Sequence, residues 1–216
     1  MILIIFNNFS FVFSYLLTIV KKKFKIKEVV EKRGYNMSIK GFFCHIGLVI
    51  RHKHRVFINC AKCGIVWRGL VHDLSKFSPT ELFESAKYYR GYRSPIGVCR
   101  EETGMSKAWL HHKGRNKHHI EYWLDPECEI QPLVPYQYAV ECVCDKLAAT
   151  RIYAGKNYSN DLPLKHWLRH GNKVPGNPKT MEFVESVFVD VEKHGEKYVL
   201  SKKYMKKKYH EVCKND

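Results

Sequence analysis

Pro135-Tyr136-Gln137-Tyr138-Ala139-Val140-Glu141-Cys142-Val143-Cys144-Asp145-Lys146-Leu147-Ala148-Ala149-Thr150-Arg151-Ile152-Tyr153-Ala154 is the longest uninterrupted pattern in the chain. Proline suits a helix start, Gly155 follows as a stop, and neither breaker falls between them. The stretch predicts one long helix. Shorter segments on either side read the same way. Apolar residues recur at helical spacing through Ile39–Val56, with Phe43, Ile46, Val49, Ile50 and Phe57 near one side, and Gly64 closes that helix or its continuation. Ser78-Pro79-Thr80-Glu81 combines an N-cap, a proline at the first helical position and a capping-box glutamate. That helix is expected to run to about Arg90, with Gly91 as its stop. Ser106 opens a short helix toward His112, and Asn160/Asp161 cap another that ends at Gly171. Pro178 begins a last pair, broken at Gly195. No alternating strand pattern of useful length appears, and there is no internal repeat. The fold class is all-α.

The 216 residues carry 37 Lys/Arg against 21 Asp/Glu, a net charge of +16, and are 45% hydrophobic and 13% aromatic. That is enough apolar material for one real core, which excludes disorder as a description of the whole. The charge points to nucleic acid, a phosphorylated small molecule or an anionic membrane. Its distribution argues for the second. Residues 1–36 and 197–216 each hold seven basic residues against two acids, so the excess sits largely at the ends. The chain accordingly divides into an apolar and basic extension (1–36), a globular helical domain (37–196) and a basic C-terminal helix or tail (197–216). Met1–Val20 is nearly uncharged and is followed by Lys21-Lys22-Lys23. It reads either as a membrane anchor with the lysines on the cytoplasmic side or as sequence ahead of a true start at Met37. Eight cysteines without a signal peptide point to a reducing, cytoplasmic compartment. Cys60-x-x-Cys63 has no second Cys/His pair at zinc-finger distance and reads as two helix thiols one turn apart.

Eight of the twelve histidines fall in two clusters: His45, His52, His54 and His72, then His111, His112, His118 and His119. Imidazoles gathered in one place repel if charged, so they call for a shared cation or acid. Three features point to a metal. His72-Asp73 ends an apolar run, where a buried carboxylate needs a partner. Asp145 sits inside the long helix on a face of small residues; a surface pairing with Lys146 or Arg151 is the plain alternative. Trp109–His119 mixes possible ligands with Lys113, Arg115 and Lys117 around Gly114, which suits an anionic substrate bridging metal and guanidinium.

His52, His72-Asp73 and Asp145 on an all-α chain resemble the signature of the HD-domain phosphohydrolase superfamily, and Lys76 three residues after the pair resembles its frequent continuation. Arg68–Pro79 together with His111–Trp123 is similar to a narrower, uncharacterised bacterial and phage family of HD-like proteins, over about residues 40–160. Some members of that family carry a catalase label, but no haem-ligand pattern can be picked out in this chain. The resemblance implies an HD-like helical bundle with a first metal on His52, His72, Asp73 and Asp145. It also implies a second metal on His111 and one of His112, His118 or His119. The implied cofactor is one or two divalent ions, Mn, Fe, Co, Ni or Mg, since the ligands are imidazole and oxygen. The implied reaction is metal-assisted hydrolysis of a phosphomonoester or phosphodiester, a nucleotide included. Asp73, Lys76, His111 and Arg115 would be catalytic, and Lys76, Arg115 and Lys117 would neutralise phosphate oxygens. Two rivals stand beside it. One is an HD-like di-iron oxygenase, and the other is a non-enzymatic basic module that binds nucleic acid through its tails.

Overall fold

The structure, a computed structural model, describes residues 39–214; the expectations for residues 1–36 lie outside them. Among the described residues there are ten α-helices, four short 3-10 turns and no strand. In chain order the helices are α1 (Ile39–Lys62), α2 (Val66–Val71), α3 (Pro79–Lys87), α4 (Pro95–Thr103) and α5 (Lys107–Lys113). There follow α6 (Tyr136–Ala154), α7 (Leu162–His170), α8 (Pro178–His194), α9 (Glu196–Val199) and α10 (Lys202–Cys213). No helix among them is long and apolar enough to cross a membrane.

Local chemistry sets most of the boundaries. The side chains of Ser78, Ser106, Asn177 and Ser201 each accept a backbone N–H at a helix start, which satisfies one of the orphan donors there. Gly64, Gly155 and Gly195 take positive φ just past the ends of α1, α6 and α8. Two ends differ from expectation. Helix α3 stops at Lys87 rather than near Arg90. Asp161 does not cap α7, because its carboxylate accepts from Lys165 one turn on, 2.5 Å away.

Helix α6 is the hub, packed against α1, α2, α7, α8 and α10. Val140, Val143, Cys144 and Leu147 on α6 meet Val56 and Cys60 of α1, Cys63 just past its end, and Phe183, Val184, Val187 and Phe188 of α8, all sealed from solvent. Each such side chain contributes about 1.5–3 kcal/mol by leaving water. The basic C-terminal segment is not an appendage. Met205, Tyr209 and Cys213 of α10 insert into the same core, while its lysines face outward or lie half-buried on its flank. The period-four spacing of those three residues outweighs the charge of the residues between them. A smaller cluster, Phe42 and Ile46 with Leu82 and Ala86, joins α1 to α3.

Gly69 lets α2 lie directly on α1. A Cβ there would come within 3.0 Å of the Phe57 Cα, a backbone atom that cannot move aside. Helix α2 carries the His72-Asp73 pair at its C-terminal end, so this close approach sets the depth at which the pair enters the interior.

Candidate metal centre

The end of α2 is held by a cation. Lys53 of α1 donates from Nζ to the carbonyls of Leu70 (2.9 Å) and His72. These are helix-terminal acceptors with no intrahelical partner, and a lysine favours the negative end of the helix dipole. Burial pushes the Lys53 amine down to about 8. Past this clamp, Asp73 adopts φ +52° and ψ +31°, and it is the one non-glycine residue with positive φ among those described. Aspartate tolerates that conformation better than most residues, but it still costs energy and recurs at functional sites. The turn aims two adjacent side chains at one point, with His72 Nε2 3.3 Å from Asp73 Oδ2.

Two groups of potential ligands meet at Asp73. The first is His52, His72, Asp73 and Asp145, and the second is Asp73, His112, His118 and His119. Within each group the ligand atoms lie within 4.8 Å of one another. Around the first, Asp145 Oδ1 is 2.9 Å from His52 Nε2 and 3.5 Å from His72 Nε2. Around the second, Asp73 Oδ1 is 3.4 Å from His112 Nε2 and 3.5 Å from His118 Nε2. The two carboxylate oxygens of Asp73 thus face different groups.

The histidines are oriented from behind by two further glutamates. Glu141, fully buried on α6 one turn before Asp145, accepts from His72 Nδ1 at 3.0 Å and lies 3.4 Å from His118 Nδ1. Arg68 Nε donates to its other oxygen at 2.7 Å. Glu81 accepts from His112 Nδ1 at 2.7 Å and from His111 Nδ1 at 2.6 Å. A neutral imidazole that donates from Nδ1 turns a bare lone pair outward at Nε2, which is how a metal-ligating histidine is prepared. Where the rings are neutral, those lone pairs confront carboxylate oxygens, acceptor against acceptor; His72, whose carboxylate neighbours favour its charged form, would otherwise hold a proton in that place. His52 Nε2, His72 Nε2, Asp73 Oδ1, His118 Nε2 and His119 Nε2 are all buried without a hydrogen-bond partner. Buried polar atoms left in this state cost free energy, and a cation between them removes the cost.

The electrostatics agree. Burial on its own would raise Asp73, but the charges of His72, Lys76 and His112 hold it well below the usual carboxylate range. Asp145, nearly buried, is held low against the upward push of burial by its bonds to His52 and His72. Glu141, against the upward push of burial, is drawn to about 2 by its bonds to His118 and His72. Burial would lower His72, yet the Asp73 charge and its carboxylate bonds raise it well above the ordinary value. Burial lowers His52 and His119, the latter further through the neighbouring His118 and His112. The cluster therefore cannot satisfy itself by protonating every ring. Four buried or nearly buried carboxylates, Asp73, Glu81, Glu141 and Asp145, meet only Arg68 and Lys76 as fixed cations within 4.0 Å among the described residues. One divalent ion balances that surplus of two negative charges, a second would call for a bound anion beside it, and the nitrogen–oxygen donor set suits either.

Not every expected residue reaches the cluster. His111 is in neither group; its ring turns to Glu81 and its side chain is 20% exposed. Consecutive residues on α5 point about 100° apart, so His112 faces inward and His111 sideways. Arg115 is exposed and donates to the His111 carbonyl of its own turn. Lys117 is exposed with its amine over the rings of Tyr122 and Tyr138. Lys76 does reach the cluster, 2.6 Å from Asp73 Oδ2. It lines a pocket of about 540 Å³ (open solvent included) together with His45, His52 and Tyr153. His54 is exposed on α1. The surface pairing open to Asp145 is not formed, because Arg151 pairs with Glu196 and Lys146 lies over Trp167.

Sequence reasoning missed both orienting glutamates. Glu141 stands four residues before Asp145, and two carboxylates one turn apart on a helix without a local cation are a readable signal of an inward acidic face. Glu81 offered no such signal, since the capping box explained it locally. Its side chain instead turns inward, although Ser78 still accepts from the Glu81 N–H at 3.4 Å.

Fold and site define an all-α protein with a buried cluster of histidines and carboxylates. The chain belongs to DUF5662, a family of unknown function whose profile matches residues 42–190. No curated protein and no solved structure matches it.

Proposed function

We propose that the chain is a metal-dependent phosphohydrolase of HD type, acting on a phosphomonoester or phosphodiester. The observation that carries this reading is the convergence of five buried, unbonded ligand atoms on two points that share Asp73. Divalent ions bound there would supply Lewis-acid activation of water and of a phosphoryl oxygen. His52, His72, Asp73 and Asp145 would hold one ion, and Asp73, His112, His118 and His119 a second. Glu141 and Glu81 hold the rings of His72 and His112 by Nδ1, so that little reorganisation is needed on loading. Lys76, ion-paired with Asp73 and lining the adjoining pocket, would be the cation that meets phosphate oxygens. The shared carboxylate also suits the rival di-iron oxygenase, and metal identity separates the two.

The test is metal analysis of the full chain purified without a histidine tag, beside His72→Ala/Asp73→Ala, followed by hydrolysis of bis(p-nitrophenyl) phosphate and p-nitrophenyl phosphate. The expected result is about one to two equivalents of Mn, Fe, Co or Ni, lost in the variant together with hydrolysis. Near two equivalents of iron with oxygen uptake and no hydrolysis would transfer the protein to the oxygenase class. Folded wild type that stays metal-free after soaking in each ion would overturn both.

A further inference from the structure

A second and larger pocket, of about 1250 Å³ with its open mouth included, adjoins the one lined by Lys76. Its wall reaches His119 of the second ligand group, and it shares Ser94 and Tyr153 with the pocket that holds His52 and Lys76. A molecule bound there would have one end beside the candidate metal centre.

Two cations in this wall are prepared for an anion. The guanidinium of Arg100 (α4) lies 4.9 Å above the ring of Trp109 (α5), and Lys146 Nζ (α6) lies 5.5 Å above Trp167 (α7). Neither has a carboxylate within 4.0 Å among the described residues, so each charge is held over an aromatic face and remains available to a ligand. Glu121 is the single carboxylate in the wall, against Arg100, Lys146, His166 and His170. The tendency of His166 to shed its proton, through burial and then the charges of His170 and Arg169, agrees with a positive rim. Trp109, Tyr153 and Val174 are the half-buried apolar residues of the wall, Trp167, Phe188 and Pro163 lie buried behind it, and Ser94 and Thr150 add hydroxyls. Cations plus flat apolar walls select an anion that carries a planar ring.

We propose that this pocket binds the non-reacting part of a nucleotide-like organic phosphate, with Arg100 and Lys146 on a phosphate and the ring against the aromatic wall. Delivery of the reacting phosphate to the cluster rests on the phosphohydrolase reading; the binding step does not. The pocket cations take over the role that the sequence assigned to Arg115 and Lys117, neither of which lines it.

The experiment is calorimetric titration of the full chain with ADP, GDP and CDP, and with pyrophosphate and adenosine as the two halves of the first. It is done on Mn-loaded protein and again after chelation. At least one nucleotide should bind more tightly than either half, and chelated protein should still bind it. Arg100→Ala and Lys146→Ala should each weaken it about tenfold or more, with metal content unchanged. Absence of binding by all three nucleotides at millimolar concentration, or variants that bind as wild type does, would overturn the proposal. Metal-free wild type that binds nucleotide through Arg100 and Lys146 would leave this inference standing while the hydrolase reading falls. Metal loading and phosphoester hydrolysis that ignore both substitutions would do the reverse.

Discussion

Val140, Val143, Cys144 and Leu147 on one side of α6 and Glu141 on the other are all inaccessible to water, and Asp145 nearly so. The apolar side needs only shape: its neighbours on α1 and α8 supply contact from any direction, and each buried methylene adds to stability. Even its thiols behave this way. Cys144 Sγ lies 3.8 Å from Cys63 Sγ, and burial pushes the Cys144 thiol well above its usual range, which keeps it protonated. The polar side needs identity. Glu141 is stabilised because His72, His118 and Arg68 stand where its oxygens point, and removing any one of them leaves a desolvated charge. One helix thus carries a tolerant surface and an exacting one, about a third of a turn apart.

The largest expected effect that separates the two sides is on stability. Leu147→Ala opens a cavity in a site with no solvent access and should cost about 2–5 kcal/mol. Urea denaturation reads that loss, while the metal content of the folded protein should stay at the wild-type level. Metal loss in this variant would break the separation of the two sides.

A next test concerns His45, a buried imidazole outside both ligand groups. Burial, and then the Lys76 charge, pushes it down to about 4. Its value in the folded chain is below the free value near 6.5, so the folded state holds fewer protons. Its stabilising share is therefore complete above pH 6.5, shrinks as pH falls and levels off below about 4, with a ceiling of about 3 kcal/mol. Replacing it with glutamine should flatten the wild-type decline in urea midpoint between pH 7 and 4.5. Both proteins would be measured with chelator, so that proton release from the cluster is common to them. Parallel curves for the two would show that His45 is not held neutral by burial.

Glu141→Gln sharpens the comparison from the polar side. The amide keeps the shape and one acceptor but loses the charge that fixes His72 and His118. Removing such a partner typically costs about 10–100-fold in metal affinity. Competition with a chromogenic chelator measures it; affinity equal to wild type would mean that Glu141 is a buried structural partner of Arg68 alone.

The same contrast explains what could be read from the chain. Helix starts and stops at Ser78, Ser106, Gly64, Gly155 and Gly195 are decided by atoms a few residues away, so they are legible. The packing face of α10 is legible from its spacing once the lysines are disregarded. His52, His72, Asp73 and Asp145 were recognisable as a set through family resemblance, and the structure brings them together. What escaped were residues whose meaning depends on partners from far along the chain. Glu81 has a complete local explanation as a capping residue, and the histidines it orients lie 30 and 31 residues on. The helical phase that turns His112 inward and His111 to the side is set by the docking of α5 on α3. There Glu84 accepts from both Ser106 Oγ (2.6 Å) and the Ala108 N–H (2.9 Å).

Arg115 gives the smallest expected effect and the clearest test of how far a motif can mislead. In the sequence it stands among four histidines, where a guanidinium beside metal ligands suits phosphate. In the fold it lies past the end of α5, exposed, with its guanidinium on the His111 carbonyl, and it lines neither pocket beside the cluster. Arg115→Ala should therefore change stability by no more than about 0.5 kcal/mol, as exposed substitutions generally do. It should leave metal content and nucleotide affinity as they are. A tenfold loss of either would mean that the α5 end closes over the centre when a ligand arrives, and the cation count of the site would have to include it.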